Sequence, residues 1–306
     1  MKIFIRQFVI FMFPLALLFV SGIFLPTTPR ASKSLLFAIE QSDSLLINTK
    51  EPRIIFIGGS NLSFGLNSQM IHDSLSINPI NTAVHAGIGI RFMLENTLKY
   101  IQEGDVIIMA FEYYHFLQSY NNISDELFRA IVDVNTDKID ILSLGQKISI
   151  LSYLPRYSLS KFKPSEYFGF GESDIYSVNS FNKYGDTDAH WDMKDRDYEP
   201  IKIQGKLNMD VVNEIKHFVN TAKKMGAKEV YLTFPSLDEI SFELSEDIIS
   251  QIENVVNEKN FKTLGTPRRY SMPEEMMFNT HYHLNKRGVD YRTQLLIEDI
   301  KIQEGK

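Results

Sequence analysis

Apolar positions along this chain follow three rhythms, and each predicts a different kind of element. The first is unbroken. From Phe8 to Leu25 the sequence FVIFMFPLALLFVSGIFL carries no charge. A helix of roughly 20 such residues crosses a hydrocarbon core, and no polar face interrupts the run as it would in a buried core helix. Pro14 kinks such a span without forbidding it. The run exceeds the roughly 7–15 residues of a signal-peptide core, and Leu25-Pro26-Thr27-Thr28-Pro29 offers no small-x-small cleavage site. Residues 1–30 therefore read as an uncleaved transmembrane signal anchor. Lys2 and Arg6 place its start in the cytoplasm and the main domain outside, while Arg30 and Lys33 pull the other way. Residues 31–50 have some helical spacing (Leu35, Leu36, Ile39, Leu45, Leu46) without strong caps and read as a stalk.

The second rhythm is the short continuous apolar run of a strand buried on both faces. It occurs at Ile54–Ile57, Pro79–Val84, Asp105–Phe111 and Glu229–Phe234. The third is the three-to-four spacing of amphipathic helices. Asn67 is a natural N-cap for a helix carrying Met70, Ile71 and Leu75. Others run from about Arg91 to Gln102, Met209 to Lys224 and Glu243 to Val256. A terminal helix begins after Asn285 with Val289, Leu295, Leu296 and Ile300 inward. Strands alternating with helices in units of about 30 residues predict a parallel sheet covered on both faces, an α/β domain over residues 51–306. Residues 113–205 break the alternation with Pro155, Pro164, the stretch FGFGES and the only tryptophan. A long irregular insertion at the functional edge of a sheet suggests a lid or substrate-binding element. Its aromatics suit either stacking on sugars or a small core of their own.

Composition narrows the function. A net charge of −6 leaves no basic stripe for nucleic acid. The absence of cysteine removes disulfides, zinc–thiolate sites and thiol catalysis. The Gly-Gly-Ser loop does not match the phosphate-binding G-x-x-x-x-G-K-[ST] pattern. A phosphate- or nucleotide-binding domain would use Gly58-Gly59 but would leave the late His-Leu-Asn unexplained.

The chemistry concentrates at the two ends of the domain. Ile54–Ile57 stops at Gly58-Gly59, and Ser60 follows at once, at the carboxyl edge where open α/β sheets hold ligands. Ser60 reads as a nucleophile or as a polar residue in a tight turn. A nucleophilic serine needs a base, and His281 and His283 lie just before the last helix. His283 otherwise reads as a helix-entry histidine packed under a loop. His281-x-His283 has no third or fourth ligand at a recognised metal spacing, so no metal or other cofactor is expected.

GGSNLSFGLNS with a late YHLNKRG is similar to the SGNH (GDSL-like) hydrolase superfamily, over roughly Pro52–Phe111 and Met209–Arg292. It looks closest to membrane-anchored envelope members related to the proteins that acetylate alginate or handle D-alanyl groups on teichoic acid. The resemblance implies a flavodoxin-like three-layer α/β/α fold and a Ser-His-Asp site that hydrolyses or transfers acyl esters. It implies an outward-facing domain on a bacterial cytoplasmic membrane, an envelope carbohydrate or acyl-ester substrate, and a membrane acyl-donor protein as partner. Matched by position, Ser60 is the nucleophile, His283 the base, and the N–H groups of Ser60 and Gly87 the oxyanion donors. The third block of the family is replaced by Glu112-Tyr113-Tyr114-His115. The acid expected before the histidine is absent, with Thr280 three residues before His283 and Asn279 four before. Asn279 takes the orienting place, with Asn61 beside the nucleophile as a supporting residue. Either Glu112, Asp186 or another carboxylate supplies the missing charge, with His190 and Asp186 as insertion residues able to reach the site, or the chain is a slow or inactive member acting as a binding or scaffold subunit.

Overall fold

The computed structural model describes residues 1–117, 123–171 and 173–305. Within the FGFGES stretch, Glu172 lies outside the described residues. Five parallel strands form the central sheet: β1 (Arg53–Gly58), β2 (Asn78–Asn81), β3 (Val106–Ala110), β4 (Glu229–Thr233) and β5 (Thr263–Leu264). Their spatial order is 2-1-3-4-5, a doubly wound arrangement that reverses direction between β1 and β3.

The alternation of side chains along each strand divides the core into two layers. Ile55, Ile57, Ile107, Met109, Val230 and Leu232 point to one face. Against it pack α2 (Ala38–Asn48), α4 (Ile90–Leu98), α5 (Met209–Lys224) and α6 (Glu246–Glu258). Ile54, Phe56, Val106, Ile108 and Ala110 point to the other face, covered by α3 (Ser68–Leu75) and α7 (Lys286–Gln303). Burial on both faces is why β1 and β3 read as continuous apolar runs rather than alternating ones. Asn67 caps α3 by accepting from the Met70 N–H, and Asn285 caps α7 by accepting from the Gly288 N–H.

Several boundaries differ from those the pattern predicts. The helix expected at Glu243–Val256 is two, Glu239–Leu244 and α6, with Ser245 between them. Ser245 Oγ, at this junction, accepts the Ile203 N–H from the insertion. Strand β5 escapes the sequence pattern because it is only two residues long, too short to show a period. Residues 31–50 are not a stalk. Leu35, Leu36, Ala38, Ile39 and Leu46 are buried in the larger core cluster, which makes α2 part of the helical layer.

The apolar helix α1 (Lys2–Phe24) is long and apolar enough to cross a membrane, and of its residues only Gly22 is buried. The described residues of 111–208, between β3 and α5, form the insertion, a series of short helices and turns. Leu127, Phe128, Ile131, Ile141 and Ile150 join it to the larger core.

One buried ion pair ties the amino-terminal edge of the sheet together. The Arg53 guanidinium donates to both oxygens of Asp105, to Leu46 O at the end of α2 and to Tyr100 O. Both side chains are fully buried. Removing one partner of such a pair leaves an uncompensated charge and costs about 3–5 kcal/mol. Asp105→Ala is therefore expected to lower unfolding free energy by about that amount in denaturant titration. Ser60→Ala, at the opposite edge, is expected to leave it nearly unchanged.

Candidate active site

Gly58 and Gly59 allow the loop after β1 to press against the end of β3. A Cβ on Gly59 would sit 2.5 Å from both carboxylate oxygens of Glu112, and one on Gly58 would meet the Ala110 carbonyl. Ser60 then opens a single helical turn, Ser60–Ser63. It faces a cavity of about 290 Å³, shared with Phe64, Ala86, Glu112, Tyr114, Tyr176, His281 and His283. The cavity opens where the strand order reverses, the usual ligand crevice of such sheets.

His283 reaches this crevice through a small antiparallel hairpin, Met277–Thr280 with His283–Leu284. Thr280 Oγ1 closes its turn by accepting the N–H groups of Tyr282 and His283 at 3.2 and 3.1 Å. The hairpin sets Asn279 beside the ring, with Asn279 Oδ1 2.9 Å from His283 Nδ1. Nδ1–H therefore donates to the amide, leaving Nε2 as the acceptor a general base requires. The amide is itself held, because Asn279 Nδ2 donates to the Tyr176 hydroxyl at 2.8 Å. The His283 ring stacks on Phe64 at 4.1 Å and 7°. Burial pushes its pKa down to about 3, against a smaller opposing effect of the Glu112 charge. Among the described residues, neither Ser60 Oγ nor His283 Nε2 has a hydrogen-bond partner. Such contacts tighten in many enzymes only when substrate binds.

Glu112 is the carboxylate of the site. Burial opposes its ionisation, but the neighbouring His115 ring and the Asn61 N–H outweigh that and hold its pKa near 2. Glu112 Oε1 accepts the Asn61 N–H at 3.1 Å, and Oε2 lies 3.3 Å from His115 Nδ1. The other nitrogen of His115 donates to Ala86 O. Glu112 thus contributes charge to the crevice without bonding to His283.

The remaining expected residues divide clearly. Asn61 is wholly buried and holds the loop, its Nδ2 donating to Ala110 O. Gly87 does not present a free N–H, since it donates to His85 Nδ1 at 2.9 Å. Asp186 is not brought to the crevice. It accepts from the Ser68 N–H and hydroxyl and from Asn81 Nδ2, binding the insertion to α3 and β2. Burial raises its pKa to about 6 despite those bonds. His190 donates to Leu284 O and packs between Phe64 and Phe278, and burial lowers its pKa to about 4. His281 lines the cavity, and burial lowers its pKa too. Among the described residues no cluster of three or more His, Asp or Glu side chains is arranged to hold a metal.

Two residues went unnoticed in the sequence. Tyr176, from the insertion, orients Asn279. Arg292, on α7, is fully buried and clamps the serine loop, with Nη1 donating to Asn61 O at 2.6 Å and Nη2 to Asn61 Oδ1 at 3.1 Å. No ion pair compensates it among the described residues, and burial pulls its pKa down to about 10. Its signal was legible: an arginine in register with Val289 and Leu296 on an apolar face. Searches found no family model, no curated protein and no solved structure that matches this chain.

The buried rings make stability depend on pH. For His283 the pKa falls from 6.5 unfolded to about 3 folded, so the unfolded chain binds the proton first. Stability is fully present above pH 6.5 and is lost as pH falls toward 3, by about 1.4 kcal/mol per unit. His190 acts in the same direction, and Asp186 opposes both between about 3.8 and 6. His283→Gln is expected to flatten the acid limb of the unfolding free energy measured by denaturant titration from pH 7 to 4. Parallel curves for the two proteins would mean that the ring is not buried in its neutral form.

Proposed function

We propose that this protein is a membrane-anchored, SGNH-like serine esterase or O-acyltransferase acting on acyl esters, acetyl among them, of cell-envelope polysaccharide. The observation that carries the reading is the shared crevice. Ser60 and His283 come from opposite ends of the domain and line one cavity at the switch point of a doubly wound sheet, with Asn279 behind the His283 ring. In this reading Ser60 Oγ attacks the acyl carbon while His283 Nε2 takes its proton. Asn279 Oδ1 holds the ring in the required tautomer, as an asparagine does for the histidine of papain-like enzymes. The Glu112 charge favours the imidazolium that forms. The Ser60 N–H, first in its turn, faces the developing oxyanion. The His283 proton then passes to the leaving alcohol, and water or a sugar hydroxyl resolves the acyl-enzyme. Helix α1 anchors the domain in a bacterial cytoplasmic membrane with the site outside, where a membrane acyl-donor protein supplies the group.

A second reading has specific observations in its favour. The Asn61 N–H is taken by Glu112 and the Gly87 N–H by His85. The crevice is thus short of donors and holds a carboxylate where negative charge would develop. An SGNH-fold binding or scaffold subunit of a polysaccharide complex needs none of those donors.

A fluorophosphonate probe separates the two readings. An active site is expected to label at Ser60, and Ser60→Ala is expected to abolish both labelling and acetylation of surface polysaccharide. In a serine protease, replacing the triad aspartate by asparagine lowers turnover about 10⁴-fold. Asn279→Asp is therefore expected to speed labelling. No labelling of either the wild type or this variant would leave the binding-subunit reading standing.

A further inference from the structure

A cavity of about 370 Å³, larger than the crevice, lies beside the end of α1. It is lined by Arg30, Arg129, Arg156 and Lys163 against Asp133 and Glu166. Arg129 is committed to Asp125 and Asp133, and Arg30 only grazes Glu166 at 3.5 Å. Arg156 and Lys163 are exposed, and neither has an ion-pair partner among the described residues. On a chain of net charge −6 this is an unusual excess of cations.

The same region is unusually apolar outside the cavity. Leu151 is 62%, Leu159 56% and Phe168 77% exposed. On the preceding short helix Leu144 and Ile148, four residues apart and so on one face, are 75% and 61% exposed. So many large exposed apolar side chains within one short segment suit an interaction surface.

Helix α1 fixes what covers it. Gly22 packs directly on Ser158 and Phe162, leaving no room for a side chain. Ser158 Oγ donates to Phe19 O at 2.7 Å, and Lys161 Nζ to Pro26 O at 3.2 Å. At 1.5 Å per residue, α1 is about 35 Å long, slightly more than the roughly 30 Å hydrocarbon core. Its contact with Ser158 falls in its last two turns. Leu159, next to Ser158, therefore lies near the end of α1, and Arg30 follows that end by six residues.

We propose that the segment Leu144–Phe168 is a second, interfacial membrane-binding surface, lying in the bilayer face at which α1 ends, with anionic lipid headgroups in the cavity of Arg30, Arg156 and Lys163. Apolar residues with adjacent cations are the composition of such elements. The proposal rests on the reading of α1 as a membrane span. It brings the crevice close to the bilayer, because Leu35 lines the crevice while its neighbours Ser34 and Leu36 line the cationic cavity.

The absence of cysteine allows single labels on the full chain. Bimane is attached at Leu151→Cys, Leu159→Cys, Phe11→Cys in α1, and Lys224→Cys at the opposite sheet edge. The proteins are reconstituted in phosphatidylcholine vesicles, with or without phosphatidylglycerol, carrying nitroxides at shallow or deep positions. Labels at 151 and 159 are expected to lose fluorescence to the shallow quencher, 11 to the deep one, and 224 to neither. Joint Arg156→Glu and Lys163→Glu replacement is expected to reduce quenching at 159 in phosphatidylglycerol vesicles alone. Deep quenching at 11 with 151 and 159 behaving like 224 would overturn the interfacial surface while leaving the span intact. No quenching at 11 would remove both. Competition by inorganic phosphate without any phosphatidylglycerol dependence would assign the cavity to free phosphate and overturn the headgroup assignment.

Discussion

A single buried guanidinium holds the serine loop in place. Arg292 reaches from α7 into the first turn after β1 and takes both the carbonyl and the side-chain oxygen of Asn61. Gly65 leaves the room it occupies, since a side chain there would collide with Nη1. A buried cation without a carboxylate is expensive unless polar groups surround it. The backbone of the loop is thus required in one conformation to solvate the arginine. The dependence runs both ways. The loop needs the clamp to present Ser60, and the clamp needs the loop to be tolerated in the core.

The same economy shapes the crevice. Around Ser60 the Asn61 N–H is taken by Glu112, and Asn279 is held between His283 and Tyr176. Such networks rigidify a site when satisfied. They also spend donors. The two carboxylates a sequence reader would nominate behave in opposite ways for physical reasons. Glu112 has a histidine and an N–H facing it and stays ionised. Asp186 is buried with neutral partners only, and its pKa rises.

The insertion joins these features to the membrane-length helix. Its later part packs Ile175 and Met193 beside Phe64, the ring on which His283 stacks. Its middle part carries Ser158 and Lys161, which bond the end of α1. One segment therefore reaches both the surroundings of His283 and the end of α1. The insertion is thus part of the packed structure.

Much of this was legible in the chain alone. Periodicity is local, so the apolar helix, four of the five strands and the caps at Asn67 and Asn285 could be read from neighbours in sequence, whereas naming Ser60 and His283 together rested on the chemistry a serine requires and on a family resemblance. Two-residue β5 and the incorporation of α2 could not, because neither leaves enough residues in a pattern to identify its partner. Nor could the roles of the polar residues. Asp186 and Glu112 look alike in sequence, and Gly87 looks free. Whether a carboxylate ionises, or an N–H is available, depends on which groups the folded backbone turns toward it, from two or three residues away at Gly87 and Glu112 and from over a hundred at Asp186. That proximity exists only once the sheet has closed and α7 has carried Arg292 back to the loop that begins at Gly58.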